Sequence, residues 1–281
     1  MSRGRLVLVG TPIGNLADLA PRAVEALRDS DVIAAEDTRR TRALLTHAGV
    51  AAGRRLVAVH AHNERARAAE LVETIRAGRT VAVVTDAGMP GISDPGARLV
   101  RTCLEAGLEV EVVPGPTALV TALVVSGLPT ERFAFEGFLP RRGPARRARL
   151  AELAREPRTT VLFESPHRVP DTLAELVDAL GPARPVALAR ELTKLHEDVF
   201  RGTLAAALAH VRAQPPRGEY VLVLGAAEPV AATDADLAVE AQAAVASGLS
   251  AKDAAAQVAA RLGVSRRRAY DAVVASRANR G

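Results

Sequence analysis

The chain has 281 residues, of which 48% are hydrophobic and 25% are charged, and its net charge is +5. This is the balance of a soluble chain long enough for two domains. No apolar stretch approaches 18 residues and the first five residues, MSRGR, contain no apolar signal region, so we expect neither a membrane span nor a secretory signal, and a cytoplasmic protein.

The cysteine and histidine residues do not indicate a disulfide or a metal site. The single cysteine, Cys103, excludes an internal disulfide and, inside a predicted helix, fits a buried apolar residue. His60 and His62 would face the same way on a strand, but no third ligand follows at metal-binding spacing. The sequence therefore predicts no metal site.

The first 130 residues alternate a short β-rich run, a Gly/Pro or polar turn, and an amphipathic stretch, which predicts a parallel sheet covered by helices. The predicted strands are residues 5–9, 32–35, 56–60, 81–84 and 108–113, and the predicted helices are 21–28 and 66–77. A second α/β set has predicted strands at 133–138, 160–164, 186–190 and 220–224 and predicted helices at 171–180 and 204–213.

Composition divides this α/β chain into three parts. All five phenylalanines belong to the second set, which places a boundary near the SGLP stretch, and the Ala/Pro/Asp-rich residues 226–234 indicate a linker. We therefore expect an N-terminal α/β lobe (1–128), a second α/β lobe (129–228) and a small basic helical domain (235–281).

Glycine and proline mark the ends of several predicted strands. GTPIGNL (10–16) resembles a dinucleotide fingerprint, but its glycines are spaced GxxxG and Pro12 removes an amide donor. TDAGMPGISDPG (85–96) contains no lysine, which excludes a phosphate-binding P-loop. In PGPTA (114–118), Gly115 allows backbone to approach a ligand and Thr117 can cap the following helix. Such loops gather at the carboxyl edge of a sheet, where ligands bind.

Together with AEDTRRT (35–41), FESPHR (163–168) and RELTKLHE (190–197), these motifs resemble the tetrapyrrole methylase superfamily from residue 6 to residue 224, and in particular its ribosomal RNA branch. The resemblance implies two α/β lobes with S-adenosylmethionine bound in the cleft between them. It also implies methyl transfer to the ribose 2′-hydroxyl of a cytidine in the decoding region of 16S rRNA, within the small ribosomal subunit, by a homodimer.

A cofactor with a sulfonium and no phosphate explains a glycine-rich loop without cations, because a lysine near the sulfur would repel it. By resemblance, the cofactor contacts are Ile13, Asp86, Met89, Thr117, Ala118, Phe163, Arg190 and Glu219.

The transfer also requires that the hydroxyl lose its proton. Lys194 is one of only two lysines and lies in the RELTKLHE motif. Burial beside Arg190 would lower the Lys194 pKa and allow it to act as a base or to orient the hydroxyl. Alternatively, Lys194 is a surface residue or forms a salt bridge to Glu191 or Glu197. Asp37 and Glu64, at predicted strand ends, are further candidates for the base.

Two basic segments predict RNA contacts. Residues 140–149 hold five arginines and no acid, beside the aromatic run FAFEGF, and the expected phosphate contacts are Arg141, Arg142, Arg146 and Arg147. A solvated charge run is the alternative. The tail resembles a helix-turn-helix, with helices at 254–262 and 266–276 and with Arg266, Arg267 and Arg268 as expected RNA contacts; DNA binding is the alternative.

Two other functions use similar features. A tetrapyrrole C-methyltransferase would have the same fold, but it does not need the basic helix-turn-helix. A ligand-sensing DNA-binding regulator would need the tail, but it does not explain six loop motifs. The RNA ribose methyltransferase is the function that accounts for both.

Overall fold

The computed structural model describes residues 4–60, 62–213, 217–228 and 232–278. Contacts divide the chain after Ala227 into two compact units, a large α/β unit and a small helical one. Over the described ranges, no helix combines the length and the apolar character needed to cross a bilayer.

The first sheet is entirely parallel, as the alternation of strands and helices predicts. Its strands are β1 (Arg5–Val9), β2 (Val32–Ala35), β3 (Leu56–Ala58), β4 (Val81–Val84) and β5 (Glu109–Val113), in the order β3-β2-β4-β1-β5. β4 is buried along its whole length, which is why it reads as a continuous apolar run. The loops that follow these strands therefore meet at one edge.

Helices cover both faces of this sheet. They are α1 (Pro21–Asp29), α2 (Thr38–His47), α3 (Glu64–Arg76) and α4 (Ala97–Glu105). Leu27 of α1 and Leu45 of α2 pack on one face, whereas Leu71 of α3 and Leu99 of α4 pack on the other. Pro21 occupies the first turn of α1, as expected, because its missing amide has no helical partner there.

The second sheet is mixed. Its strands are β6 (Phe133–Phe138), β7 (Thr159–Glu164), β8 (Pro185–Arg190), β9 (Asp198–Thr203) and β10 (Tyr220–Leu224), in the order β6-β7-β10-β8-β9. Only β6 and β7 pair in parallel, and the other three pairings are antiparallel. Three helices, α6 (Pro144–Leu153), α7 (Val169–Leu180) and α8 (Leu204–Arg212), contribute to the core on one face of this sheet.

The other face of the second sheet is covered by α5 (Ala118–Ser126), the helix that follows β5. Its Ala122 and Leu123 pack with Ala189 and Val221, and Ile13 from the loop after β1 joins the same cluster. The predicted lobe boundary at 128 falls just after α5. A single apolar core thus connects the loops of the first sheet to the second sheet.

Most predicted elements are present, with ends displaced by a few residues. The strand predicted at 56–60 ends at Ala58, because the Asn63 side chain accepts from the His60 amide and donates to the Ala58 carbonyl. β9 was not predicted. It pairs with β8 along its full length at the edge of the sheet.

The helical unit contains α9 (Asp234–Ala246), α10 (Ala251–Leu262) and α11 (Arg266–Ala278) around a small alanine-rich core. Gly263 has a φ of +64°, which forms the predicted turn between the last two helices. The predicted linker overlaps residues 229–231, which lie outside the described residues.

Candidate active site

Loops from the carboxyl edge of the first sheet and residues of the second sheet enclose a cleft of about 400 Å³. Seven of the eight predicted cofactor contacts line it, namely Ile13, Asp86, Met89, Thr117, Ala118, Phe163 and Glu219. Its volume lies within the usual range for small-molecule sites. The ring of loops predicted from the sequence therefore encloses one cavity.

Glycines allow these loops to pack closely. A Cβ built on Gly115 would lie 2.9 Å from the Gly10 Cα, so Gly115 is required by the backbone of a neighbouring loop, whereas the sequence had suggested approach to a ligand. Thr11 and Gly88 exchange two backbone hydrogen bonds of 2.9 and 3.1 Å. The loops after β1, β4 and β5 thus form one rigid wall of the cleft.

Thr117 caps α5, as predicted from the sequence. Its hydroxyl accepts a 3.1 Å hydrogen bond from the Val120 amide. This fixes the first turn of α5, and with it Ala118, at the cleft.

Arg190 does not line the cleft, which corrects its predicted cofactor role. Side chains alternate along β8, so Ala189 packs with α5 on the cleft side while Leu188 joins the core on the other face. Arg190 lies two residues after Leu188 and therefore on the same face of β8. It lines a small separate cavity with His210 of α8. Its Nε atom is buried there and has no partner among the described residues.

Carboxylates dominate the polar lining of the cleft. Glu36 follows β2, Asp86 and Asp94 belong to the loop after β4, and Glu219 precedes β10. Asp94 was not singled out in the sequence. Its pKa is raised to about 7, first by burial and then by the charges of Glu36, Asp86 and Glu219.

The pKa of Glu36 is also raised. Burial raises its pKa most, a hydrogen bond from the Asp86 amide opposes that rise, and the charge of Asp86 adds to it. The cleft is therefore a region of negative potential that resists complete ionisation of its own carboxyl groups.

Arg40 is the one basic side chain among the described residues that line this cleft. It is largely exposed, at 67%, and pairs with the Asp86 carboxylate at 3.4 Å. Asp86 also accepts a 3.1 Å hydrogen bond from the Asp37 amide. The interior of the cleft thus combines backbone and apolar groups with carboxylates, as expected for a site that binds a cation.

Lys194 does not have the depressed pKa expected from the sequence. Partial burial acts to lower its pKa, but hydrogen bonds to Glu191 and Glu219, both 2.9 Å long, outweigh burial and raise the pKa above its usual value. The salt-bridge alternative is correct for Glu191, whereas the second partner is Glu219 and not Glu197. A lysine that stays charged cannot accept a proton.

Asp37 and Glu64, the other candidates for the base, are engaged in helix capping. The Asp37 carboxylate accepts from the Arg39 amide at 2.8 Å, and that bond holds its pKa below the usual range. The Glu64 carboxylate accepts from the amides of Gly96 and Arg98 at 2.9 and 3.3 Å, at the start of α4. Neither lines the cleft.

A second cavity of about 320 Å³ adjoins the first. The two share Ile13, Asp86 and Glu219, and Lys194 and Leu44 line only the second. The site therefore has room for two ligands side by side.

The arginine-rich segment before and within α6 has mixed roles. Arg146 is 6% exposed, and its guanidinium donates to Glu175, to the Thr172 hydroxyl and to the Pro140 carbonyl, so its predicted RNA contact is wrong. The sequence alone does not distinguish a buried arginine from an exposed arginine within a run of basic residues. Arg141, Arg142 and Arg147 are exposed and stay predictions.

An exposed aromatic ring lies at the cleft. Phe138 is 52% exposed and lines the cavity, and its ring meets that of Phe163 edge to face at a centroid distance of 5.7 Å. β6 carries a bulge between Phe135 and Gly137, which changes the direction of the strand just before Phe138.

Some basic residues of the helical unit are exposed, and others form ion pairs within the unit. Arg266 and Arg267 are exposed at the start of α11, and Tyr270 is 46% exposed one turn later. Arg268 pairs with the Asp234 carboxylate at 2.8 Å and donates to the Ala232 carbonyl, so part of its charge is used within the unit.

Within the described ranges, no group of three or more metal-ligating side chains is close enough to hold an ion. His60 and His62 lie with ring centroids 6.0 Å apart. Cys103 is fully buried in the core of the first sheet, and burial raises its pKa to about 11, so the thiol is an apolar packing residue as predicted.

Comparisons with known proteins agree with this architecture. Residues 5–208 match the family model described as Tetrapyrrole (Corrin/Porphyrin) Methylases. The ribosomal RNA small subunit methyltransferase I of Mycobacterium tuberculosis is 50% identical over 282 residues, which cover 100% of this chain and 98% of that protein. The protein of the same name from Escherichia coli O157:H7 is 49% identical over 79% of this chain and 78% of its own.

Solved structures show the same fold. The uroporphyrin-III C-methyltransferase of Thermus thermophilus, solved with S-adenosylhomocysteine, has a TM-score of 0.55 and 28% identity, covering 79% of this chain and 97% of that one. A diphthine synthase has a TM-score of 0.58 at 14% identity over 79% of this chain and 90% of its own, which bears on the fold alone.

Proposed function

We propose that this chain, which belongs to the tetrapyrrole methylase family and within it to the branch of the ribosomal RNA small subunit methyltransferases I, methylates the ribose 2′-hydroxyl of a cytidine in 16S rRNA. The cytidine is in the decoding region, the substrate is the small ribosomal subunit, and the enzyme is a cytoplasmic homodimer. The observation that carries the proposal is the carboxylate-lined cleft, combined with near-full-length similarity to relatives of that name.

The residues of the cleft fit S-adenosylmethionine. Its apolar lining residues, including Ile13, Met89 and Phe163, suit the adenine ring and the methylene groups of the methionine chain, while the carboxylates suit the sulfonium and the ammonium. When bound, this co-substrate supplies the methyl group. The interlocked glycine loops form one wall of the cleft, which is ordered before the ligand enters.

The protein's own residues then position the acceptor. The adjoining cavity gives an acceptor nucleotide a place beside the cofactor. The exposed ring of Phe138, which lines the first cavity, can stack on an unpaired base. Because the two cavities share Ile13 and Asp86, a donor in one and an acceptor in the other would lie side by side, which would supply rate by positioning.

Phosphates must be held away from the carboxylates. The exposed Arg141, Arg142 and Arg147, which follow Phe138 in the chain, and the exposed Arg266 and Arg267 on α11 provide cations for that purpose. An acidic cleft with basic residues outside it matches a sulfonium donor and a polyanionic acceptor.

The alternative function is C-methylation of a tetrapyrrole. The family description and the structure of the uroporphyrin-III C-methyltransferase both suggest it. The near-full-length similarity to ribosomal RNA methyltransferases and the basic helical unit disfavour it, because a tetrapyrrole methyltransferase does not need such a unit. The two functions are separated by offering purified small subunits and a uroporphyrinogen in parallel with methyl-labelled S-adenosylmethionine. We expect label in the RNA; label in the tetrapyrrole alone would reject the proposal.

A further inference from the structure

Leu195 is 93% exposed, more than any other large apolar side chain in the described part of the chain. It belongs to the loop between β8 and β9, where Lys194 and His196 flank it. A single exposed apolar side chain is common on protein surfaces and needs no explanation on a loop that moves freely. Leu195 is different, because the loop that carries it is tied down.

Hydrogen bonds hold this loop in one conformation. The Lys194 amide donates to the Glu191 carbonyl at 3.0 Å, and the Glu197 amide donates to the Lys194 carbonyl at 3.1 Å. The Thr193 amide donates to the Glu197 carboxylate at 2.6 Å, and the Lys194 ammonium donates to the Glu191 carboxylate at 2.9 Å. The loop therefore presents Leu195 from a fixed position.

The backbone of the same loop is strained. Glu191 has a φ of +51° and Thr193 a φ of +66°, and Ser93 is the only other non-glycine residue in the described ranges with a positive φ. Thr193 is β-branched, and for such residues this region is a clear outlier. Strain of this kind persists only where the surrounding contacts enforce it, and it concentrates at functional sites.

The loop lies beside the second cavity, which we assign to the acceptor nucleotide. Lys194 and Gly14 both line that cavity. The Asn15 amide donates to the Thr193 hydroxyl at 3.0 Å, which joins this loop to the loop after β1. Leu195, the residue after Lys194, lines neither cavity, so its side chain stays exposed next to the site.

A nucleotide must leave its base stack before it can enter a cavity of this kind, and the lost stacking has an energetic cost. Proteins that separate stacked bases offset that cost with an apolar side chain, leucine among them, which inserts into the gap. Such a side chain has to be exposed before RNA binds, held rigidly, and placed next to the acceptor cavity. Leu195 meets all three conditions.

We propose that Leu195 is a wedge that enters the RNA base stack and fills the space left by the target cytidine, an inference that rests on the proposed function. It is a positioning residue and takes no part in the bond changes of the methyl transfer. By stabilising the extruded state, it keeps the cytidine in the second cavity, where the ribose can meet the methyl donor.

The test compares Leu195→Ala with Leu104→Ala, the same substitution at a position on α4 that is 59% exposed. Single-turnover methylation at saturating small subunits and cofactor should slow at least about tenfold in Leu195→Ala and stay normal in the control. Leu195→Met keeps a long apolar side chain and should stay within about threefold of the wild-type rate. Melting temperatures and S-adenosylmethionine affinities should not change in the three variants, because the substituted side chains are exposed and line neither cavity.

A modified substrate separates a wedge from an ordinary surface contact. Small subunits reconstituted with 16S rRNA that lacks the bases on both sides of the target cytidine present a nucleotide that is already unstacked. Wild type and Leu195→Ala should methylate this substrate at rates within about threefold of each other, because no stacking has to be replaced.

The inference is overturned by a near-normal rate of Leu195→Ala on unmodified subunits, by an equal loss in Leu104→Ala or in Leu195→Met, or by a loss that persists in full on the modified subunits. A change in the oligomeric state of Leu195→Ala in sedimentation also overturns it, because Leu195 would then belong to a contact between subunits. If wild type itself places no methyl on the ribose of unmodified subunits, the proposed function fails instead, so the wild-type arm distinguishes the two failures.

Discussion

The Cγ atom of Lys194 fills the space in which a side chain at Gly14 would begin, since a Cβ built on Gly14 would lie 2.5 Å from it. Beside this contact, the Asn15 amide donates to the Thr193 hydroxyl at 3.0 Å. The loop after β1 and the loop after β8 therefore interlock, and Lys194 holds the second sheet against the first.

Because of this position, we expect Lys194→Ala to lower stability much more than it lowers the rate of methylation. The lysine pKa is raised by its two glutamate partners, so its contribution to stability is present below its usual pKa of 10.5 and is lost only as the pH rises beyond that. The melting temperature of Lys194→Ala should be lower by a constant amount between pH 6 and pH 9. Its single-turnover rate at saturating ligands should stay within about tenfold of wild type with the same pH profile; a flattened profile would return Lys194 to the list of bases.

Gly115 should not tolerate even alanine. Its Cβ would meet Gly10 backbone at 2.9 Å, and neither loop can retreat without breaking the wall of the cleft. Gly49→Ala is the control, because Gly49 has a φ of +65° but open space around it, so that variant carries backbone strain alone. Calorimetry should show weaker S-adenosylmethionine binding for Gly115→Ala than for Gly49→Ala; equal affinities would mean that the glycine contact does not shape the site.

Neighbouring arginines on α6 should behave differently. Arg146→Ala removes a buried guanidinium and leaves Thr172 and Glu175 without it, which should lower the free energy of unfolding by about 2 to 3 kcal/mol. Arg147→Ala, at an exposed position, should change it by less than about 0.5 kcal/mol. Chemical denaturation measures both, and similar values for the two variants would contradict the assignment of Arg146 to the fold.

These cases show what the sequence can and cannot predict. The buried strands and Thr117 were predictable, because apolar runs and a cap followed by a helix are local patterns. The direction of Arg190 was not, since it depends on which face of β8 meets α5. The raised pKa of Asp94 could not be predicted from the sequence, for a similar reason. It depends on carboxylates that follow β2, β4 and a turn before β10, which only the folded sheets bring together.

The exposed arginines of α11 should contribute to binding of the ribosomal subunit. If Arg266 and Arg267 contact phosphates, replacing both with alanine should weaken binding and reduce the slope of log affinity against log salt by roughly 1.4 to 1.8. The matched control replaces Arg22 and Arg28, which are exposed on α1. An unchanged slope in the α11 variant, or an equal loss in the control, would remove α11 from the interface.

The position of the methyl group on the product RNA tests the proposed ribose methylation most directly. Wild-type protein, unmethylated small subunits and methyl-labelled S-adenosylmethionine should yield one labelled cytidine in 16S rRNA. We expect the label to stay with the ribose when the base is removed, and the phosphodiester after this nucleotide to resist alkali. Label on a base, or label spread over many nucleotides, would contradict ribose methylation of a single cytidine.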